Sequence, residues 1–135
     1  MWPRLSRIAF WVYVPVLFGA THWPSLQIGG PVGTDKSIHI FAFGLWTALL
    51  IAAGLFGPPL SWRNILAACI IAPMYAAIDE TTQAIPFLHR SAEFADWFAN
   101  LKGIATACIG AIALAAVRAH RSTPDDAGPV SSTPP

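Results

Sequence analysis

Four apolar runs separated by glycine- and proline-rich breaks govern what this chain can fold into. They extend from about Ile8 to Leu26, Lys36 to Phe56, Arg63 to Ile85 and Glu93 to Val117. Gly29, Gly30, Pro31 and Gly33 part the first from the second, and Gly57-Pro58-Pro59 parts the second from the third. Pro86 closes the third and Arg118 the fourth; such residues punctuate helices. A helix rising about 1.5 Å per residue crosses a hydrocarbon core of about 30 Å in about 20 residues, close to the length of each run. Hydrophobic residues make up 55% of the 135 residues and charged residues 11%, against about 25% charged in ordinary soluble domains. A chain this short buries only part of its surface, so the surplus must face lipid. The expectation is an all-α, four-helix transmembrane bundle with short loops over residues 1–121. The polar, proline-rich residues 122–135 cannot bury enough surface to order themselves and read as a disordered cytoplasmic tail.

Arg4 and Arg7 before the first run resemble the start of a signal peptide. Phe18-Gly19-Ala20 puts a bulky residue where a cleavage site wants a small one, and the run continues to Trp23. An uncleaved helix is the better reading, with Pro15 as a kink that neighbouring helices accommodate. A cytoplasmic N-terminus puts Arg4, Arg7, Arg63, Arg118 and Arg121 inside and leaves Lys36 and Arg90 outside. The positive-inside rule therefore favours N-in, C-in. Trp2, Trp23, Trp62 and Trp97 fall near helix ends, as an aromatic belt would place them. Cys69 and Cys108 lie in apolar runs and read as small hydrophobes. A net charge of +1 without a basic stripe argues against nucleic-acid binding.

The polar residues are not spread along one stripe, as in a soluble amphipathic helix. Asp35, Lys36 and His39 open the second run; Asp79, Glu80 and Gln83 end the third; Arg90 and Glu93 lie in the last loop; Asp96, Asn100 and Lys102 open the fourth. Four alternating spans bring all of these to the outer side. Glu80 and Gln83 share a helix face, as do Lys36, His39 and Phe43. Asp96, Asn100, Gly103, Ala107 and Gly110 form one narrow stripe whose small members suit close helix approach in lipid. The acids outnumber the bases, so some carboxylates must be protonated, hydrated or paired with a ligand cation. Single members also have plain readings. Asp35 and Glu93 suit helix N-termini. His22 and His89 suit the water interface, and His120 a cytoplasmic flank. Lys102 either snorkels or reaches an acid such as Asp79.

Three blocks resemble the VanZ-like family: Asp35-Lys36-x-x-His39 with Phe43 following, Glu80-x-x-Gln83, and Arg90…Asp96-x-x-x-Asn100-x-x-Gly103. Thr21-His22-Trp23-Pro24 sits where such proteins end their first span. The resemblance covers roughly residues 8–118. His89 departs from the glycine common before the arginine. The resemblance implies a small multi-pass protein of the bacterial cytoplasmic membrane, in a family associated with resistance to the glycopeptide teicoplanin. It matches Lys36, His39, Glu80, Gln83, Arg90, Asp96 and Asn100 to the family motif without assigning them roles.

Three uses of the cluster follow. In the first, it binds a lipid headgroup, a lipid-linked cell-wall precursor or a glycopeptide at the outer face. In the second, it is catalytic, with His39 as general base, Glu80 or Asp96 as acid or orienting group, and Lys36 and Arg90 clamping a phosphate. The third makes it interhelical glue. No serine or cysteine elbow and no glycine-rich phosphate loop is present, which favours binding over catalysis. A metal held by His39, Glu80 and Asp96 lacks the HExxH spacing, so neither a metal nor another cofactor is expected. The lipid bilayer is the certain partner, and a homo-oligomer would supply the second half that four helices lack for transport.

Overall fold

In the computed structural model, which describes residues 2–23, 34–85 and 93–121, the chain forms four helices: α1 (Trp2–Thr21), α2 (Thr34–Ala53), α3 (Trp62–Gln83) and α4 (Phe94–Arg121). No strand occurs among the described residues. Arg90, His89, the 29–33 break and the tail from Ser122 lie outside them. Three of the helices, α2, α3 and α4, are long and apolar enough to cross a membrane. α1 is as long as α2, at 20 residues. It begins before Ile8, so Arg4, Ser6 and Arg7 occupy its first turns and shorten its apolar part.

On α3 the packing is mostly small inside and large outside, whereas α1 and α2 bury Phe10, Phe43, Trp46 and Leu50. On α3 the buried face is Ile65, Ala68, Ala72 and Ala76, continued by Asp79, Glu80 and Gln83. The opposite face presents Leu66, Ile70, Met74 and Ile78, each 42% to 60% exposed. A soluble helix would bury the large side chains. Helices in lipid gain most by bringing small residues together, since lipid already solvates the large ones.

The closest approach is between α2 and α4. A Cβ on Gly103 would run into the carbonyl oxygen of Ile40 and come within 2.9 Å of the Gly44 nitrogen. One on Gly44 would stand 3.2 Å from the Gly103 oxygen. The small-residue stripe expected on α4 holds its neighbour only as far as Gly103. Gly110 has nothing within 4 Å of where its Cβ would be, because the helices part and leave a cleft of about 510 Å³ between Ala48, Ala52, Ala107 and Ala111.

Helix ends differ from the runs for local reasons. α2 stops at Ala53, not Phe56, because Gly54 takes φ +59° and its N–H turns back to the Ile51 carbonyl at 3.2 Å. A left-handed glycine is the common helix stop. Arg7 donates from Nε to Ala53 O (2.9 Å) and from a terminal nitrogen to Gly54 O (3.2 Å), placing a cation on the negative end of α2. Ser61 caps α3 through Asn64 N–H (3.4 Å). Asn64, 1% exposed, donates to Ile51 O (2.8 Å) and Pro59 O (2.9 Å) and accepts from Phe56 N–H (3.2 Å). One side chain thus satisfies three backbone groups of the turn. α4 runs on past Val117 to Arg121. Its 28 residues span about 42 Å, longer than a hydrocarbon core of about 30 Å.

Gly103→Ala is expected to lower stability by about 1–3 kcal/mol through overpacking against backbone. Gly44→Ala costs less, and Gly110→Ala stays within about 0.5 kcal/mol. Thermal unfolding in detergent measures the order.

Candidate functional site

At the end where α2 and α4 begin and α3 ends, the structure buries His39, Asp79, Glu80, Gln83, Asp96 and Asn100 together. Each faces inward because helical spacing puts it on the stripe already used for packing. Three connected groups result.

The first joins α2 and α4, which run parallel. Above the Gly44–Gly103 crossing, His39 meets Asn100, its Nδ1 donating to Oδ1 at 3.0 Å. His39 Nε2 faces Asp96 Oδ2 at 3.8 Å, and Lys36 Nζ stands 3.5 Å from Asp96 Oδ1. Lys36, His39 and Phe43 descend from half-exposed to fully buried, as the stripe requires. Asp35 lies in the first turn of α2 and joins His39 and Asp96 with polar atoms within 4.8 Å of one another. Asp35 and Asp96 both occupy first helical turns, where the helix dipole favours anions.

The second group joins α1 and α3. Asp79, 1% exposed, accepts from the Thr21 hydroxyl at 2.9 Å and from Gln83 Nε2 at 3.1 Å. His22 lies 3.7 Å from the same carboxylate, with Nε2 2.8 Å from Thr82 Oγ1 and its ring stacked on Phe18 at 4.0 Å. Asp79 therefore has partners of its own and is not met by Lys102, whose side chain is exposed on α4.

The third links α3 to the start of α4. Glu80 Oε1 accepts from the Glu93 backbone N–H at 2.7 Å, while the Glu93 carbonyl takes Asp96 N–H (3.0 Å) and Trp97 N–H (3.2 Å). Glu80 lies near enough to Asp96, His39 and Asp79 for their charges to act on it. Beside it a cleft of about 300 Å³ is lined by Ala77, Glu80, Thr81, Glu93, Phe94 and Trp97.

Of the seven residues singled out from the sequence, Lys36, His39, Asp96 and Asn100 come together in one group. Glu80 and Gln83 sit beside it, serving different partners, and Arg90 is outside the described residues. Thr21, His22 and Thr82 were missed as members. His22 had been read as an interfacial residue, and only the lean of α1 on α3 brings it to Asp79. The i,i+4 spacing of Asp79 and Gln83 could have flagged that pair.

Four polar atoms at this end are buried without a hydrogen-bond partner among the described residues: Glu80 Oε2, Asp96 Oδ1, Trp97 Nε1 and Asn100 Nδ2. Buried polar groups are nearly always paired. The hydrogen bond to Asn100 also fixes the His39 ring, leaving Nε2 as the atom free to bind or take a proton. Its hydrogen-bond partner is an amide, not a hydroxyl or thiol that could serve as a nucleophile.

Searches against protein-family models, curated proteins and solved structures gave no match.

A double-mutant cycle of Thr21→Val and Asp79→Asn is expected to show coupling of about 1–2 kcal/mol in detergent unfolding. That is at the upper end for interhelical hydrogen bonds, because the acceptor is a carboxylate.

Proposed function

We propose that the chain is a VanZ-like, multi-pass protein of the bacterial cytoplasmic membrane, oriented N-in and C-in, whose polar end binds a component of the cell envelope at the outer face. The ligand class is a lipid headgroup, a lipid-linked cell-wall precursor or a glycopeptide antibiotic. All three present the mixture of hydroxyl, amide and charged groups that such a lining can pair.

The observation that carries this reading is the set of buried atoms on α3 and α4 with no hydrogen-bond partner among the described residues, namely Glu80 Oε2, Asp96 Oδ1, Trp97 Nε1 and Asn100 Nδ2, of which Asp96 Oδ1 has only the Lys36 ammonium at 3.5 Å. Donors and acceptors both occur among them. A purely structural network would have closed on itself, since a half-satisfied one costs more than an apolar core. The neighbouring cleft is almost wholly apolar in its lining and adds the rings of Phe94 and Trp97, a surface that suits the apolar face of a sugar or an acyl chain. The α1–α3 group is different. Asp79 is satisfied by Thr21 and Gln83, so that half serves as a clasp that holds the bundle.

The orientation reading rests on the arginines. Arg7 and Arg118 mark the end opposite the cluster, and Lys36 the cluster end. With Cys69 and Cys108 replaced by alanine, Lys36→Cys is expected to react with an impermeant maleimide on intact cells. Arg118→Cys reacts only after permeabilisation. The reverse pattern would overturn the orientation.

For binding, Glu80→Gln and Asp96→Asn are expected to insert normally yet retain at least tenfold less labelled teicoplanin or labelled bacterial lipid extract on purified protein. Unchanged retention in both variants would make the whole cluster a clasp.

A further inference from the structure

The α2–α4 group contains an arrangement around His39 that the envelope-binding reading draws on only through Asp96 and Asn100. The ring of His39 is held by its Nδ1–H on Asn100 Oδ1 at 3.0 Å, so the Nε2 lone pair points away from that bond. Metal-binding histidines are commonly oriented in this way, through a hydrogen bond from the other ring nitrogen. Nε2 faces Asp96 Oδ2 at 3.8 Å. Two lone-pair atoms facing each other repel unless a proton or a metal cation lies between them. Asp35, one turn before His39 on α2, brings a second carboxylate, and the three ligand atoms fall within 4.8 Å of one another. Asp96 is 8% exposed, and its Oδ1 accepts no hydrogen bond although it is buried.

We propose that Asp35, His39 and Asp96 form a binding site for one divalent cation of the zinc type at the junction of α2 and α4.

The donor set decides the metal. Calcium and magnesium favour all-oxygen shells, whereas one imidazole nitrogen with two carboxylates suits zinc. Zinc bonds of about 2.0–2.2 Å place neighbouring ligands about 3.3–3.5 Å apart, so closure requires His39 and Asp96 to approach by a few tenths of an ångström. Asp35 must move further, which its exposed position allows. Three protein ligands leave a fourth position for water or an anionic oxygen, the pattern of an open rather than a structural site. This set differs from the one considered from the sequence, where Glu80 stood in place of Asp35. Glu80 is instead engaged at the Glu93 N–H.

Lys36 is the competitor. Its ammonium lies 3.5 Å from Asp96 Oδ1, but its side chain is 48% exposed and can swing into solvent when a metal takes the carboxylate. The proposal therefore makes a signed prediction at Lys36 that a structural role for the cluster does not. Envelope binding and metal binding stay separable, because retention of teicoplanin or lipid can be measured in excess chelator.

The full chain carrying Cys69→Ala and Cys108→Ala, purified in detergent, is titrated with zinc chloride by calorimetry and by competition with a chromophoric chelator. Removing the two thiols prevents them from taking the metal. The expected result is one equivalent of zinc per chain. Binding is lost in His39→Ala and Asp96→Asn and in Asp35→Asn, whose exposed site spares the fold. Asn100→Ala weakens binding roughly 10- to 100-fold, and Lys36→Gln tightens it about tenfold. Failure of the parent chain to take up zinc would overturn the proposal, as would unchanged affinity in a folded Asp35→Asn chain. Weaker binding in Lys36→Gln would do the same.

Discussion

The contact between Gly44 and Gly103 is what the polar end of this molecule hangs on. Neither residue could carry a side chain without meeting the other helix's backbone. With α2 and α4 running parallel from that crossing, the residues before it on each helix climb side by side. His39 then meets Asn100, and Lys36 meets Asp96 one turn higher. Moving the helices apart by even a methyl group would lengthen these polar contacts. Since hydrogen bonds weaken steeply with poor geometry, the backbone contact and the cluster stand or fall together.

Parallel α2 and α4 have an electrostatic consequence as well. Two helix N-termini converge on the acid-rich end, with Asp35 and Asp96 in their first turns. Each N-terminus carries roughly half a positive charge, which offsets part of the excess of carboxylates there. The opposite end shows the complement. Arg7 sits on the last carbonyls of α2, and Arg118, His120 and Arg121 occupy the last turn of α4. Acids at helix starts and bases at helix ends describe α2 and α4, whereas α1 and α3 run against the rule, with Arg4 and Arg63 near their starts and Asp79 and Glu80 near the end of α3.

Much of this was legible in the sequence, and the pattern of success has a physical basis. Run length and composition disclosed four helices, of which α2, α3 and α4 are long and apolar enough to cross a membrane while the charged start of α1 leaves it short of that. Helical periodicity, with alternating direction, disclosed that Lys36, His39, Asp96 and Asn100 converge. What escaped depended on three-dimensional fit. Asn64 looked like an ordinary polar residue near a helix start, yet it satisfies the backbone of the whole α2–α3 turn. His22 looked interfacial because nothing in the sequence shows how α1 leans against α3. Helix ends were displaced from the apolar runs because Gly54 and Ser61 set them, not hydropathy. For α1, the run beginning at Ile8 concealed a helix that starts earlier and uses Arg7 to hold α2.

The cluster divides by satisfaction rather than by sequence block. Asp79 is as deeply buried as any carboxylate here and is met on both oxygens, by Thr21 and Gln83. Leaving such a group unpaired would cost the full desolvation of a charge, so its partners are explained by stability alone. Among the described residues Glu80 keeps one buried oxygen and Asn100 its amide nitrogen without a hydrogen bond, and one oxygen of Asp96 has only the Lys36 ammonium at 3.5 Å, within a few turns of the same end. The same chain that pairs Asp79 completely had every means to pair these three, with Thr, Gln and His available on neighbouring helices. On the proposed binding reading, a fold that satisfies one buried carboxylate and leaves others half-met among the described residues divides its polar residues between holding the bundle and meeting a ligand.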